Sequence, residues 1–254
     1  MIALSVNLNK LALIRNSRDT RIPDIPAHAQ LCIDAGADGI TVHPRPDQRH
    51  IRADDCRDLA AMLSVEFNIE GNPFAPPRAS DRAGVSDYPG FLALIRELRP
   101  TQCTLVPDGD AQLTSDHGFD LHEQADDLEP ILAELRKLGV RSSLFMDPEP
   151  AQMSIAAQIG ADRVELYTES FARVVDEGGD VDASFARYRG AAEAALEAGL
   201  GVNAGHDLNL QNLPVFRDLP GLQEVSIGHA LTVDALSMGM AAAVGAYQAA
   251  LGKR

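Results

Sequence analysis

Histidine and carboxylate side chains stand where predicted β-strands end. His43 ends the second predicted strand, Glu70 ends the third, and His206 follows the seventh. In a barrel of parallel strands the carboxyl ends share one face, so these side chains would surround one cavity. Histidine and glutamate in such a cavity can act as general acids and bases. Each residue alone is more often a solvated or structural polar group, so the catalytic interpretation depends on the joint pattern.

Glu165 lies inside the sixth predicted strand, between Val164 and Leu166. Because side chains alternate along a strand, Glu165 points to the face opposite its two apolar neighbours. In a barrel that face is the interior, where a buried carboxyl needs a polar partner. The sequence therefore predicts an acidic group inside the barrel.

Two glycine–histidine pairs follow the seventh and eighth predicted strands: Gly205-His206, continued by Asp207, and Gly228-His229. Barrels often bind phosphate in these two loops, against a helix N-terminus. Glycine lets the backbone N–H groups approach an anion closely. Together the two pairs predict a phosphate-binding site.

Lysine is scarce, and its placement disfavours Schiff-base chemistry on the protein. Of the three lysines, Lys137 falls in a predicted helix and Lys253 near the end of the chain. A strand-borne nucleophilic lysine is missing unless Lys10 serves. A carbonyl condensation would then need a substrate that brings its own amine, with histidine and glutamate moving the protons.

The charge of the chain argues against nucleic acid as a partner. There are 22 basic and 37 acidic side chains, and the formal net charge is −15. Nucleic-acid binding needs a basic surface that releases counterions. Residues 1–58, however, hold eight basic and eight acidic side chains, and all but three of the basic residues in the chain are arginines. Arginine suits phosphate and carboxylate, which favours a small anionic ligand; ordinary surface arginines are the alternative.

The 254 residues suffice for one large domain or two small ones, and no linker is evident. No apolar run approaches 18 residues, so we expect no membrane span. The first residues lack the basic and apolar regions of a signal peptide, which predicts a cytoplasmic protein. Three widely spaced cysteines suit reduced thiols rather than disulfides.

Strand and helix patterns alternate along the chain. The predicted strands are 3–7, 39–43, 66–70, 102–106, 141–146, 163–167, 201–204 and 224–227. The predicted helices are roughly 24–36, 53–63, 88–98, 124–138, 149–159, 182–198, 209–217 and 231–250. Eight such units in one domain over 1–254 predict a (β/α)₈ barrel, a TIM barrel; a doubly wound open sheet is the alternative. The long segments 71–87 and 107–123 are expected to be lids or binding loops.

At these positions the sequence resembles the PdxJ family of pyridoxine 5′-phosphate synthases, over essentially the whole chain. The motifs that carry the resemblance are Ser-Val-Asn-Leu-Asn-Lys (5–10), Arg-Asn-Ser-Arg (15–18), Gly-Ile-Thr-Val-His-Pro-Arg-Pro-Asp-Gln-Arg-His-Ile (39–51), Phe-Asn-Ile-Glu-Gly-Asn (67–72), Leu-Val-Pro-Asp (105–108), Arg-Val-Glu-Leu-Tyr-Thr (163–168), Val-Asn-Ala-Gly-His-Asp-Leu (202–208) and Val-Ser-Ile-Gly-His-Ala (225–230).

The resemblance implies a (β/α)₈ enzyme of vitamin B6 biosynthesis that forms a homo-octamer and uses no metal or organic cofactor. The implied reaction condenses 1-deoxy-D-xylulose 5-phosphate with 3-amino-2-oxopropyl phosphate to pyridoxine 5′-phosphate, phosphate and water. His43 and Glu70 match the family's bases, His206 its proton donor, and Glu165 the residue that stabilises the transition state.

The resemblance also implies contacts to two phosphorylated substrates. Arg45, His50 and Thr114 match contacts to the xylulose phosphate. The contacts expected for the aminoketone phosphate are Asn7, Arg18, Gly228 and His229.

The chain departs from the commoner family pattern at three places. Asn9-Lys10 stands where many members have Asp-His, and Asp207 replaces a glycine. We expect Asn9, Lys10 and Asp207 to face the substrates as well, with altered contacts. The segment 71–100 is also longer than in the common form.

Two other classes of function remain open. A metal-dependent isomerase or hydrolase would use His43, His206, His229, Glu70 and Glu165 as ligands, although no H-x-H or H-E-x-x-H spacing supports it. The second alternative is a barrel that binds phosphorylated metabolites without catalysing a reaction.

Overall fold

Eight short strands close into a parallel barrel, as the alternating patterns predict. The computed structural model describes residues 1–18, 20–109 and 111–253. Each strand pairs with the next along the chain, and the first pairs with the last. The strands are β1 (Ala3–Asn7), β2 (Gly39–Val42), β3 (Glu66–Gly71), β4 (Gln102–Leu105), β5 (Arg141–Met146), β6 (Arg163–Tyr167), β7 (Gly201–Gly205) and β8 (Leu222–Ile227). The predicted strands and the (β/α)₈ architecture are confirmed, with strand ends shifted by one or two residues at most.

Helices connect the strands and form the outer layer. Within the described residues they are α1 (Asn9–Asn16), α2 (Ile25–Asp34), α3 (Ala53–Met62), α4 (Phe91–Leu98), α5 (Leu121–Leu138), α6 (Pro150–Gln158), α7 (Glu169–Asp176), α8 (Val181–Glu197), α9 (Leu213–Phe216), α10 (His229–Met238) and α11 (Met240–Ala250). None of the helices in these ranges combines the length and hydropathy that crossing a bilayer requires.

The sequence patterns did not predict α1 and α7. Each has eight residues, little more than two turns, so its apolar period is too short to recognise. The omission matters because α1 carries Asn9 and Lys10 at its first two positions.

The prediction of a single helix over 231–250 is wrong, because Gly239 interrupts the helix and separates α10 from α11. Gly239 has φ 85° and ψ 150°, a conformation that glycine adopts far more readily than other residues. Leu236 therefore does not continue the apolar stripe of Met240 and Val244, and its side chain is 77% exposed.

Three other helix boundaries also needed correction. The helix expected over 88–98 begins only at Phe91, because the Tyr88 backbone pairs instead with Arg78 through two hydrogen bonds of 2.9 Å. The helix expected over 209–217 covers only Leu213–Phe216. The helix expected from residue 124 begins at Leu121, because the Asp120 side chain accepts a hydrogen bond from the His122 N–H and caps it. The predicted loop 107–123 accordingly ends at residue 120.

The barrel interior is polar, whereas the apolar core lies between the strands and the helices. Interior side chains bond to each other across neighbouring strands: Ser5 Oγ lies 2.6 Å from Thr41 Oγ1, and Thr104 Oγ1 donates to Asn68 Oδ1 at 3.1 Å. Buried polar groups are tolerated when they are paired in this way. The interior can therefore accommodate the Glu165 carboxyl, which the alternation of side chains in β6 places there.

An arginine–glutamate network lies at the amino-terminal ends of the strands. Arg141 donates to both Glu66 carboxylate oxygens at 3.0 and 2.8 Å, and Arg163 Nη1 lies 3.4 Å from Glu224 Oε2. Burial and the Glu66 charge raise the pKa of Glu224 to about 7, against the opposing effect of Arg163. This network fills the end of the barrel opposite the predicted site.

Candidate active site

His43 lies directly after β2 and is held between two carboxyl groups. Its Nδ1 is 3.7 Å from Glu70 Oε2, and its Nε2 is 3.4 Å from Asp108 Oδ2. Its backbone N–H donates to Asn9 Oδ1 at 2.9 Å, so the first turn of α1 fixes the position of His43. All three ionisable side chains are buried. The structure thus brings a histidine and two acids from three strand ends into one cluster.

Glu70 lies on β3 with its carboxyl inside the mouth of the barrel. Asn7 Nδ2 and Ser226 Oγ each donate to it at 3.4 Å. Burial, followed by the nearby Glu165 and Glu224 carboxyls, raises the pKa of Glu70 well above its usual range. The raised pKa favours the protonated form of Glu70, which can donate a proton as well as accept one.

Glu165 is buried deeper in the interior, on β6. Its Oε2 lies 3.5 Å from Thr104 Oγ1. Burial raises the pKa of Glu165 to about 8, with a further contribution from Glu224. The carboxyl occupies the space beside Gly205 on β7, where a Cβ atom would collide with Oε1. The glycine of the Gly-His pair is therefore needed for packing against Glu165.

His206 follows β7 in an unusual backbone conformation. His206 and Asp207 have φ of 83° and 61°, in the left-handed region that non-glycine residues adopt at a cost of order 1–3 kcal/mol. The His206 ring is held at both nitrogens: Nε2 lies 2.9 Å from Thr114 Oγ1 and Nδ1 lies 2.9 Å from Asp207 Oδ2. The ring also packs edge-on against Tyr167, with centroids 5.1 Å apart. The Asp207 carboxylate thus orients His206.

Two arginines hold the loop after β4 against the loop after β2. Arg45 Nη1 donates to the carbonyl oxygens of Gly109 at 3.3 Å and Gln112 at 2.9 Å, and its Nη2 pairs with Asp108. Arg49 Nη1 also donates to the Gln112 carbonyl at 2.8 Å. The loop expected to be a lid is therefore closed onto His43 and carries Thr114 to His206.

The remaining predicted residues fall partly around this cluster. His50 is buried, and burial followed by the charge of His43 lowers its pKa well below the usual range, which keeps it neutral. The hydrogen bond to His206 lowers the pKa of Asp207, and the positive charges of His206, His229 and Lys10 lower it further. Gly228 packs against Asn7, where a Cβ would lie 3.1 Å from the Asn7 Cβ.

Arg18 is the exception among the predicted residues. It is exposed on the turn after α1, where its backbone N–H donates to the Arg15 carbonyl at 3.3 Å. Among the described residues, no hydrogen bond or ion pair joins its side chain to the cluster around His43.

Asp108 was noted at the end of the fourth predicted strand but was given no role. Burial would raise its pKa, yet His43 and Arg45 lower that pKa to about 2, so Asp108 is ionised. The strand-end pattern that singled out Glu70 applies equally to Asp108. Only the folded loop shows that it reaches both His43 and Arg45.

A cavity of about 160 Å³ opens beside the cluster. His43, Arg45 and Asp108 form one side of it, and Phe74 and Pro76 of the segment between β3 and α4 form another. In the described ranges, no three histidine, cysteine or acidic side chains are arranged to hold a metal ion. The cavity is lined by charged side chains and by a histidine that can transfer protons.

Comparisons with known proteins find relatives over nearly the whole chain. The sequence model described as "Pyridoxal phosphate biosynthesis protein PdxJ" matches residues 4–253. The pyridoxine 5′-phosphate synthase of Xanthomonas axonopodis pv. citri (strain 306) is 54% identical over 248 residues, which are 96% of this chain and 94% of that protein. The synthase of Xylella fastidiosa (strain 9a5c) is 52% identical over 248 residues, 96% of this chain and 92% of that protein.

Solved structures show the same fold at low sequence identity. The phosphoribosyl anthranilate isomerase of Thermus thermophilus superposes with a TM-score of 0.57 and 16% identity, over 99% of this chain and 98% of that one.

Proposed function

Since the chain belongs to the PdxJ family of pyridoxal phosphate biosynthesis proteins, we propose that it is a pyridoxine 5′-phosphate synthase. The proposed reaction is the ring-closing condensation of 1-deoxy-D-xylulose 5-phosphate with 3-amino-2-oxopropyl phosphate. The products are pyridoxine 5′-phosphate, inorganic phosphate and water. The aminoketone supplies the amine, which accords with the absence of lysine from the barrel strands.

The observation that carries the proposal is the buried pair of His43 and Glu70 at adjacent strand ends, 3.7 Å apart. A ring-closing condensation must remove protons from carbon and nitrogen and return protons to departing oxygens. His43 takes protons as a base, and Glu70, whose pKa is raised by burial, exchanges a proton with it. His206, at the opposite side of the mouth, returns a proton to the leaving oxygen.

Glu165 supports the reaction from inside the barrel. Its pKa of about 8 lets it remain neutral near pH 7, so it can donate a hydrogen bond to a water or an oxygen above it. In that role it stabilises charge that develops during water loss.

Two groups of residues are assigned to the phosphorylated ends. Arg45, His50 and Thr114 lie around the loop that closes on β2, and we assign them to the xylulose phosphate. Arg45 already donates to three groups of that loop, so the phosphate would compete with Asp108 for its guanidinium.

The aminoketone phosphate is assigned to the other side of the mouth. Gly228 caps α10, a helix of ten residues whose first N–H groups and dipole favour an anion. Asn7 packs against Gly228, and Lys10, Arg18 and His229 complete the assigned set. Asn9 is assigned to this region too, although its side-chain oxygen already holds the His43 backbone.

We also propose that the protein assembles as a homo-oligomer, with eight chains as the expected number. Five large apolar side chains are exposed on the neighbouring helices α1 and α10: Leu13, Ile14, Val233, Leu236 and Met238. A concentration of exposed apolar side chains supports an interface.

The test is turnover with both substrates. Purified protein should form pyridoxine 5′-phosphate and inorganic phosphate in equal amounts, and a chelator should leave the rate unchanged. Binding of both substrates without product would favour a non-catalytic barrel. Stoichiometric zinc or manganese in untreated protein, with loss of activity on chelation, would favour a metal-dependent enzyme.

A further inference from the structure

Asp108 joins three parts of the site through one carboxylate. Its Oδ2 lies 3.4 Å from His43 Nε2 and accepts from Ser115 Oγ at 3.2 Å. The same oxygen pairs with Arg45 Nη2. The side chain is almost fully buried, and its charge is balanced by the guanidinium. A buried carboxylate with this many partners has a fixed position and can impose an orientation on each of them.

We propose that Asp108 is a positioning residue that holds the N–H of His43 on Nε2 and turns the Nδ1 lone pair toward Glu70. The inference deepens the proposed function and rests on it only for the role of His43 as a base. In a neutral imidazole one nitrogen carries the proton and the other accepts. The partner of one nitrogen therefore decides the state of the other.

The neighbours of the ring favour this assignment over the reverse. Asp108 is ionised and can only accept, so the nitrogen that faces it is the donor. Glu70 Oε2, 3.7 Å from Nδ1, belongs to a carboxyl whose raised pKa favours the protonated form, which can donate. The order Asp108, His43, Glu70 thus leaves the Nδ1 lone pair facing the Glu70 carboxyl, 3.7 Å away. That lone pair is the one with which the base would take up a proton.

The wild-type protein tests the proposal without substrate. In ligand-free protein labelled with ¹⁵N at the histidine rings, solid-state NMR at neutral pH should show His43 as the Nε2–H form. The His43→Asn variant identifies the resonance by difference. A predominant Nδ1–H form in the wild type would overturn the proposal, whether or not any variant folds.

The variant Asp108→Asn supplies the second measurement. The amide can donate as well as accept, so the Nε2–H form should no longer predominate, and kcat should fall about 10²-fold, the lower end for impaired acid–base catalysis. KM for the aminoketone phosphate should stay within about threefold. Asp116→Asn, the same exchange at an exposed acid of the same loop, should leave both kcat and the His43 signal unchanged.

The outcomes separate this inference from the proposed function. If the wild type makes no pyridoxine 5′-phosphate but shows the expected tautomer, the function fails and the positioning of His43 stands. If turnover occurs and Asp108→Asn retains both full kcat and the wild-type tautomer, the positioning role is excluded.

Discussion

At the scale of single residues, His43 has the contacts of a base whose position is fixed on three sides. Asn9 binds its backbone, and Glu70 and Asp108 face its two ring nitrogens. We expect His43→Asn to reduce kcat by roughly 10²–10⁴-fold, because the asparagine keeps a polar group but cannot take up a proton. Steady-state rates with both substrates measure the effect.

His122 offers a matched control for that variant. It is exposed on the first turn of α5, and His122→Asn makes the same chemical change outside the cavity. Its kcat should equal that of the wild type. An unchanged kcat in His43→Asn would remove His43 from the mechanism.

Glu165 should make the protein less stable as the pH rises. Below about pH 4.5 its carboxyl is protonated in both folded and unfolded chains. Between that value and about 8, the unfolded chain releases the proton while the folded chain retains it, so the free energy of unfolding falls by up to about 1.4 kcal/mol per pH unit. Above about pH 8 this dependence ends.

We therefore expect Glu165→Gln to gain stability relative to the wild type between pH 5 and 8. The neutral amide keeps a hydrogen-bonding side chain beside Thr104 and has no proton to release. Urea denaturation at pH 5 and pH 8 measures the difference, and kcat should fall at both values. Glu193→Gln, at an exposed position on α8, should leave the pH dependence intact. A wild-type slope in Glu165→Gln would show that another group carries it.

Much of the site could be predicted from residue types at strand ends. His43 and Glu70 were identified in that way, because a parallel barrel brings its carboxyl ends together whatever the details of the loops. Glu165 was identified from the alternation of side chains along β6. The contacts of Asp108 with His43 and Arg45 could not be predicted, since they depend on how the loop after β4 folds back. Arg18 is the opposite case. Its motif predicts a substrate contact, but its side chain is exposed, and among the described residues no hydrogen bond or ion pair joins it to the cluster around His43.

At the scale of elements, one glycine in β7 makes room for a buried side chain of β6. Glu165 and Asn203 are opposite each other in this strand pair, and Gly205 leaves room for the Glu165 carboxyl. We expect Gly205→Ala to displace that carboxyl and to lower the free energy of unfolding by about 1–3 kcal/mol, the usual range for overpacking. Denaturant unfolding and kcat should both decline.

Gly245 is the control for the same substitution in another element. It lies inside α11, is exposed, and has open space where a Cβ would stand. Gly245→Ala should raise the free energy of unfolding by about 0.5–1 kcal/mol, because alanine is the better helix former. If both variants were equally stable, the packing argument for Gly205 would be wrong.

The elements themselves were predictable in proportion to their length. Long helices such as α5 and α8 show several apolar periods, whereas α1 and α7 have only about two turns each. The break at Gly239 escaped prediction because a lone glycine within an apolar run does not reveal its φ. The periodicity of apolar residues therefore predicts the alternation of strands and helices, but it does not reveal short helices or interruptions within a helix.

At the scale of the whole molecule, the net charge of −15 makes like-charged chains repel one another. Assembly must therefore gain free energy from apolar contact. Leu236 is the most exposed of the five apolar side chains on α1 and α10, at 77%. Burying such a leucine is favourable by about 1.5–3 kcal/mol per copy, which the proposed interface would recover.

We expect the wild type to have a mass of eight times 27.2 kDa by light scattering, and Leu236→Glu to shift it to smaller species. The glutamate replaces apolar contact with a further negative charge, so the shift should be largest at low ionic strength, where repulsion is least screened. Leu113→Glu is the matched control, because Leu113 is also exposed but lies on the loop after β4. A wild-type monomer would exclude the assembly, and an unchanged mass in Leu236→Glu would place the interface on another face.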